Sequence, residues 1–147
     1  MKYTYNTVIG YLTLEEENGE IIKISFEKEN NPTTENTVLK TAANEIREYL
    51  DGTRENFTFS YKISGTEFQQ KVYRELLNIP YGKTRTYEEI AIAIGNKNAC
   101  RAVGNANNKN PLPIVVPCHR VIGKNNNLTG YAGGINLKEY LLNLENK

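Results

Sequence analysis

β-Branched and aromatic residues are concentrated near the start of the chain, where they predict strands. One such stretch covers residues 3–14, and a second, residues 21–26, follows a turn at Asn18-Gly19. A short alternation of apolar and polar side chains predicts a further strand over residues 57–61. The N-terminal part is therefore expected to contain a small β-sheet.

Between these strands the spacing of apolar residues becomes helical. Residues 30–34 form a polar loop that contains Pro32, and a helix is predicted over residues 35–50, from Glu35 onward, with Gly52 as its C-terminal stop. The apolar positions of this helix are Val38, Leu39, Ala42, Ala43, Ile46 and Leu50. Residues 1–63 are therefore interpreted as a small α/β lobe.

The pattern changes near Ser64-Gly65, which we take as the boundary to a second domain, residues 64–147. Thr66 and Gln69 form a capping box at the start of a helix that ends at residues 79–82. The apolar positions of this helix are Phe68, Val72, Leu76 and Leu77.

A helix-turn-helix is predicted next. Thr86 and Glu89 form a second capping box, and the short helix that follows ends at residues 95–97. Its inward positions are predicted to be Ile90, Ala93 and Ile94. A further helix is predicted over residues 99–108. Together with the preceding short helix and the tight, glycine-containing turn at residues 95–97, it forms the helix-turn-helix.

The last helix begins with Asn136 and Glu139, which repeat the capping pattern. Its core positions are predicted to be Leu137, Tyr140, Leu141 and Leu144. Glu145 lies just outside this stripe, so the pattern alone predicts an exposed glutamate.

Composition indicates an ordinary globular protein, with 39% hydrophobic and 24% charged residues. No apolar run approaches the roughly 18 residues of a membrane span, and the first ten residues lack the apolar core of a signal peptide. We therefore expect a cytoplasmic protein without membrane contact.

Charge divides unevenly between the two predicted domains. Residues 1–63 hold 7 Lys and Arg against 11 Asp and Glu, whereas residues 64–147 hold 11 against 6. This imbalance favours a polyanion-facing surface on the second domain, although a solvated basic face is the alternative.

The predicted helix over residues 99–108 is unusual because many of its side chains are small. They are Ala99, Ala102, Gly104 and Ala106. Gly104 lowers helix stability by about 1 kcal/mol relative to alanine. Arg101 is the long cation near the start of the helix. Small side chains permit close approach of a nucleic acid or of the protein's own core. They are too short to read a DNA sequence through contacts with base edges.

Two cysteines, Cys100 and Cys118, and one histidine, His119, restrict the chemistry. A structural zinc site takes four Cys or His ligands, and a disulfide framework needs more cysteines. We therefore predict neither a metal site nor a disulfide. Reduced, buried cysteines are the simplest interpretation.

Cys118 follows a stiff, apolar segment that contains Pro111, Pro113 and Pro117. With an ordinary thiol pKa near 8.5, only about 3% of a cysteine is thiolate at pH 7. Reactivity therefore needs a base or a cation, for which His119 and Arg120 are the candidates. Because adjacent side chains usually diverge, a contact between Cys118 and His119 requires a turn or a bridging water.

Five motifs, in order over residues 66–146, resemble the O6-alkylguanine-DNA alkyltransferase family. They are Thr86-Tyr87 with Arg101-Ala102-Val103-Gly104-Asn105-Ala106 of a helix-turn-helix, an Asn110-Pro111 hinge, the signature Pro117-Cys118-His119-Arg120-Val121-Ile122-Gly123, the substrate loop Gly130-Tyr131-Ala132-Gly133-Gly134, and Glu145. The resemblance implies a ribonuclease H-like α/β lobe packed on a mostly helical DNA-binding domain.

The implied activity is DNA repair by direct damage reversal. O6-alkylguanine in double-stranded DNA is rotated out of the helix, and its alkyl group passes irreversibly to Cys118, once per molecule, without a cofactor. Glu145 orients His119, and His119 takes the thiol proton through a water. Tyr87 assists base rotation and donates a hydrogen bond to the departing guanine.

The resemblance also implies how DNA is bound by a monomer. Arg101 enters the vacated base stack, while small residues of its helix lie in the minor groove. These are Ala102, Gly104 and Ala106. Asn110 supports the turn before the active site. The Val121 carbonyl and the Ala132 amide contact the base, and Tyr131 forms a pocket wall.

The sequence departs from the family pattern at two places. Cys100 replaces a small apolar residue of the relatives, and residues 1–63 lack the Cys and His ligands of an N-terminal zinc site that some relatives have. An alkyltransferase-like lesion binder, which lacks the cysteine, a helix-turn-helix transcription factor and a Cys–His hydrolase are the alternatives. The range of alkyl groups, O4-alkylthymine repair and cooperative DNA binding are left open.

Overall fold

The computed structural model describes residues 1–29 and 36–146. The chain divides into two compact units, Met1–Ser64 and Gly65–Lys147. The predicted loop at residues 30–34 and the predicted helix start at Glu35 lie outside the described residues.

The first unit contains the predicted sheet. Strands β1 (Lys2–Thr7), β2 (Gly10–Glu17) and β3 (Glu20–Ser25) are antiparallel and lie in that order. The pattern indicated no turn within residues 3–14, yet a two-residue turn separates β1 from β2. The Thr7 hydroxyl accepts from the Ile9 amide and donates to the Gly10 carbonyl, while Gly10 adopts a φ of +103°. Polar contacts therefore form a turn that hydrophobic patterning does not reveal.

Helix α1 (Thr37–Leu50) carries the predicted apolar face. The Asn36 side chain caps it by accepting from the Leu39 amide at 2.8 Å, and Gly52 follows it at a φ of +81°, as its stop position predicted. The buried side of α1 lies against the three strands.

The strand predicted over residues 57–61 is wrong. This segment touches the sheet at a single bridge, between Ile21 and Tyr61. The Thr58 amide donates to the buried Glu45 carboxylate at 2.7 Å. Because α1 supplies the partner for this amide, the Thr58 backbone is satisfied without a β ladder.

The second unit is mostly helical. Its helices are α2 (Glu67–Leu77), α3 (Tyr87–Ala93), α4 (Cys100–Asn108) and α5 (Ile135–Glu145), with 3-10 turns at Cys118–Arg120 and Lys124–Asn126. Both predicted capping boxes, at Thr66 and Thr86, are formed. The short strands β4 (Arg85–Thr86) and β5 (Val121–Ile122) pair in parallel. The mixed α/β fold class is therefore confirmed.

Several predicted core positions of these helices are wrong. Leu77, Ala93 and Tyr140 are exposed, and Ala91 is buried in place of Ala93. The capping pair predicted for α5 is not used, because the helix begins after Gly134. Leu77 and Ala93 are the last residues of α2 and α3, so an apolar stripe continued to the end of a helix overstates its burial there.

α5 buries charged residues as well as leucines. Lys138 is inaccessible to solvent and Glu145 is 6% exposed, although the pattern predicted an exposed glutamate. These residues are seven positions apart, so they lie on one face of the helix, two turns from each other. Within the described ranges no helix is long and apolar enough to cross a membrane.

Candidate active site

A stiff turn precedes Cys118. The Asn110 side chain donates to the Val116 carbonyl at 2.8 Å and accepts from the Leu112 amide at 2.9 Å. Ile114 is buried and has a φ of +77°. This left-handed conformation costs a β-branched residue roughly 1–2 kcal/mol, which the surrounding packing must offset. The turn is therefore held by the two hydrogen bonds of the Asn110 side chain.

Cys118 begins the 3-10 turn and is 2% exposed. Its amide donates to the Val116 carbonyl at 2.7 Å, and its carbonyl accepts from Asn107 of α4 at 3.2 Å. Burial raises the pKa of the Cys118 thiol to about 11, while hydrogen bonds from Asn110 and Tyr131 and the charge of Lys138 act in the opposite direction. The resting cysteine is therefore a protonated thiol.

His119, the residue after Cys118 in the 3-10 turn, forms a buried pair with Glu145. The His119 Nε2 atom lies 2.7 Å from Oε2 of Glu145, and both side chains have no exposed surface. Burial lowers the pKa of His119, although the hydrogen bond to Glu145 opposes this shift. The imidazole is consequently neutral at pH 7 and able to accept a proton.

Arg120 acts on Glu145 rather than on the thiol. Its Nε and Nη2 atoms donate to the two carboxylate oxygens at 2.8 and 2.9 Å, and Nη1 donates to the Ile79 carbonyl at 2.7 Å. The Gly82 amide adds a fourth hydrogen bond to the carboxylate, at 3.2 Å. The hypothesis that Arg120 is the cation beside Cys118 is therefore corrected, because its guanidinium is committed to fixing the carboxylate.

Gly82 is required where it stands. It adopts a φ of +80°, and a Cβ added there would lie 3.2 Å from the Glu145 carbonyl oxygen. A side chain would combine backbone strain with a tight contact against the end of α5. The glycine therefore lets the turn after α2 approach the carboxylate closely.

Lys138 is a buried cation whose charge acts on the Cys118 thiol, and the hydrophobic pattern did not indicate it. Its Nζ atom donates to the Val121 carbonyl at 2.5 Å and to the Thr129 carbonyl at 3.0 Å. Burial lowers the pKa of Lys138 to about 8. The available signal was its spacing of three from Leu141 and seven from Glu145, but a lysine on an amphipathic helix is normally assigned to the surface.

Tyr87 is the first residue of α3 and is brought to the site by the small parallel sheet. Arg85 pairs with Val121 and Thr86 with Ile122, so the start of α3 lies beside the chain that leaves Cys118. The Tyr87 hydroxyl accepts a hydrogen bond from Thr129 at 3.0 Å. Burial raises the pKa of Tyr87, which keeps the phenol protonated.

Tyr131 and Ala132 lie on the loop before α5. Tyr131 is buried and its hydroxyl acts to lower the pKa of the Cys118 thiol, whereas Ala132 is exposed. Val121 is buried, and its carbonyl, already bound by Lys138, retains a second lone pair. Both backbone groups expected to contact a base are therefore carried by segments that border the thiol.

The outer face of α4 carries the predicted small residues. Arg101 and Ala102 are exposed, and a Cβ added to Gly104 would lie 3.9 Å from the Tyr87 ring, an ordinary contact. Packing within the chain therefore does not demand glycine at this position. Ala106 does not share this face, because it is buried and its carbonyl accepts from Tyr73. Its predicted place in a groove is wrong.

The described residues hold no cluster of three or more His, Cys, Asp or Glu side chains suited to a metal ion. Cys100 is partly exposed at the start of α4, where its sulfur lies 3.9 Å from the Lys97 carbonyl. It takes no part in the contacts described around Cys118.

Comparisons with known proteins agree over both units. The 6-O-methylguanine DNA methyltransferase ribonuclease-like domain matches residues 1–63, and the DNA-binding domain of the same family matches residues 67–147. A constitutive methylated-DNA--protein-cysteine methyltransferase of Bacillus subtilis is 44% identical, over 97% of this chain and 93% of its own. A Methanosarcina barkeri protein of the same name is 52% identical over 73% of this chain and 68% of its own.

The fold of the chain is also similar to solved structures. A crystal structure of Mycobacterium tuberculosis OGT in complex with DNA has a TM-score of 0.91 at 42% identity, covering 99% of this chain and 92% of that one. The resemblance inferred from the five motifs is thereby confirmed. The chain belongs to the 6-O-methylguanine DNA methyltransferase family.

Proposed function

We propose that this protein repairs alkylated DNA directly, by moving the alkyl group from O6 of guanine onto the sulfur of Cys118. The observation that carries the proposal is a buried thiol on a stiff turn, followed by a histidine whose ring nitrogen lies 2.7 Å from a buried carboxylate. Nucleophile, base and orienting group are the three parts that covalent catalysis requires.

The reaction is a displacement at carbon. The neutral His119 takes the Cys118 proton through a water, the sulfur attacks the alkyl carbon, and the bond from that carbon to O6 breaks. Guanine leaves with the electron pair, and the thiol proton is finally returned to it. Tyr87 donates a hydrogen bond to the departing base, since burial keeps this phenol protonated. The thioether that remains does not leave readily, so each molecule acts once.

Burial of the Cys118 thiol supports the role of His119 as the base. A pKa near 11 leaves only about one molecule in ten thousand as thiolate at pH 7. Proton removal by His119 is therefore coupled to the attack itself, and Glu145 stabilises the imidazolium that forms. The Arg120 guanidinium holds that carboxylate in place.

DNA binding is assigned to the outer face of α4. O6 of guanine lies inside the duplex, so the base must rotate out at a cost of a few kcal/mol. Arg101 is exposed and able to fill the vacated stack, while Ala102 and Gly104 leave room for a groove to approach. The net charge of +5 on residues 64–147 attracts the phosphates.

The rotated base is proposed to lie between the active-site turn and the loop before α5. The Val121 carbonyl and the Ala132 amide contact it, Tyr131 forms a wall, and Asn110 holds the turn. Residues 64–147 thus act as the DNA-binding and alkyl-acceptor domain. The protein works as a cytoplasmic monomer on double-stranded DNA that contains O6-alkylguanine, without metal or organic cofactor.

Intact-mass and peptide analysis after incubation with an O6-methylguanine duplex tests this proposal. We expect one added methyl group per protein, located on Cys118, and an equal yield of repaired guanine. Cys118→Ser should bind the duplex without reacting, whereas Cys100→Ser is the matched cysteine control and should react normally. Product well beyond one equivalent, or a wild-type protein that binds the lesion and stays unmodified, would refute alkyl transfer.

A further inference from the structure

Thr129 lies beside the proposed reaction centre without a role in the steps above. We propose that Thr129 is a positioning residue for alkyl transfer, whose hydroxyl donates to the Tyr87 hydroxyl and thereby directs the phenolic proton toward the departing guanine. The inference rests on the proposed function, in which Tyr87 is the hydrogen-bond donor to the leaving base.

The direction of the hydrogen bond is the first argument. Thr129 Oγ1 donates to the Tyr87 hydroxyl oxygen at 3.0 Å. A phenol has one proton, so an oxygen that accepts from a neighbour keeps its own proton for a different partner. Chains of hydrogen bonds also polarise one another, which strengthens the donation from Tyr87. Asn107 is a further side-chain partner of this phenol, and Thr129 adds a donor that orients the hydroxyl and strengthens its donation.

The placement of Thr129 is the second argument. Its carbonyl accepts from Lys138 Nζ at 3.0 Å, and the same ammonium binds the Val121 carbonyl at 2.5 Å. The residue is therefore anchored through its backbone carbonyl before substrate arrives, although the threonine itself is exposed. A hydrogen-bond donor on a residue that is already held in place needs little reorganisation during the reaction.

Two substitutions separate the hydroxyl from the rest of the side chain. Thr129→Val keeps the branched shape and removes the hydroxyl, whereas Thr129→Ser keeps the hydroxyl and removes the methyl group. We expect Thr129→Val to lower the single-turnover rate constant at saturating DNA about 3- to 10-fold, the effect of one ordinary hydrogen bond. The Kd for lesion DNA and the melting temperature should stay unchanged, and Thr129→Ser should keep most of the rate.

A double-mutant cycle with Tyr87→Phe tests whether the effect passes through the phenol. Thr129→Val should have no further effect on the rate constant in the Tyr87→Phe background. An equal loss in both backgrounds, or no loss in the wild-type background, overturns the proposal. These outcomes differ from failure of the proposed function, in which the wild-type protein itself transfers no alkyl group to Cys118.

Discussion

The two units of the molecule differ in what their buried charges do. Among the residues described in Met1–Ser64, the buried charged side chain is Glu45, whose carboxylate accepts from the Thr58 amide and the Thr58 hydroxyl. In Gly65–Lys147 the buried charged or ionisable polar side chains are His119, Arg120, Lys138 and Glu145, and they accompany the buried thiol of Cys118.

The two units differ in what offsets the desolvation free energy of their buried charges. Removing a charge from water costs several kcal/mol unless partners compensate it. In the first unit one carboxylate satisfies the backbone of an adjacent segment, which is a structural gain. In the second unit apolar residues would fill the same volume at lower cost, so the concentration of ionisable groups around a nucleophile indicates chemistry.

Glu145→Gln should produce the largest effect. The substitution removes the charge that faces both His119 and the Arg120 guanidinium, so an uncompensated cation is left buried. We expect a loss of about 100-fold or more in the single-turnover rate constant, together with a destabilisation of roughly 3–5 kcal/mol. Rapid-quench kinetics at a temperature where the variant is folded separates the two effects.

Glu45→Gln is the matched control from the first unit. It should lower the free energy of unfolding by about 1–3 kcal/mol, because the hydrogen bonds to Thr58 weaken. The rate constant for alkyl transfer should not change. A slow but folded Glu45→Gln protein would contradict the contrast drawn between the units.

Lys138→Met should come next, with a rate constant reduced about 10- to 100-fold. The substitution removes the cation that acts on the Cys118 thiol and frees the Val121 and Thr129 carbonyls. Binding to undamaged duplex DNA should be unaffected, as measured by fluorescence anisotropy. A wild-type rate in this variant would show that the ammonium has only a structural role.

The same lysine predicts a pH effect on stability. Its pKa is about 8 in the folded protein and 10.5 ordinarily, so between these values the unfolded chain binds more protons than the folded one. Wild-type stability relative to Lys138→Met should therefore rise from pH 8 to pH 10.5, as followed by chemical denaturation. A falling difference would contradict the burial of a charged amine.

Arg101→Ala should reduce repair of duplex DNA about 10-fold, since the unstacked site is no longer filled and rotation of the base becomes costlier. Reaction with a free O6-alkylguanine base, which needs no rotation, should keep its rate. Equal losses with both substrates would place Arg101 in the chemistry rather than in DNA distortion.

The smallest effect is expected from mild acid. Burial lowers the pKa of His119 below its ordinary 6.5, so the base stays neutral at that pH. The rate constant should change less than about twofold between pH 7.5 and 6.5 and decline only below this range. A midpoint at or above pH 6.5 would indicate that the histidine is solvated or that another base acts.

Local features of the fold were predictable from the sequence. The capping boxes at Thr66 and Thr86 and the stop at Gly52 involve residues within a few positions of each other, so the sequence contains every group that forms them. The wrong strand at residues 57–61 had the opposite cause, because its backbone partner, Glu45, comes from a helix thirteen residues away.

For the candidate site, the residues with a chemical signature were identified from the chain alone. A cysteine next to a histidine after three prolines, small residues on a helix and an excess of basic charge are visible without coordinates. Arg120 also has such a signature, but the sequence does not indicate which anion it binds. A guanidinium can bind any nearby anion. Only tertiary packing brings the Glu145 carboxylate within 2.9 Å of the Arg120 guanidinium.

The helices of the second unit, the capping boxes at Thr66 and Thr86 and the identity of the reactive side chains were determined by the amino-acid sequence itself. Only the tertiary structure decided that Lys138 and Glu145 are buried and that Thr129 meets Tyr87 across 42 positions of chain. The physical reason is that a charged or polar side chain is stable inside a protein only when partners surround it. Those partners come from helices and loops distant in sequence, which become neighbours only when the chain folds.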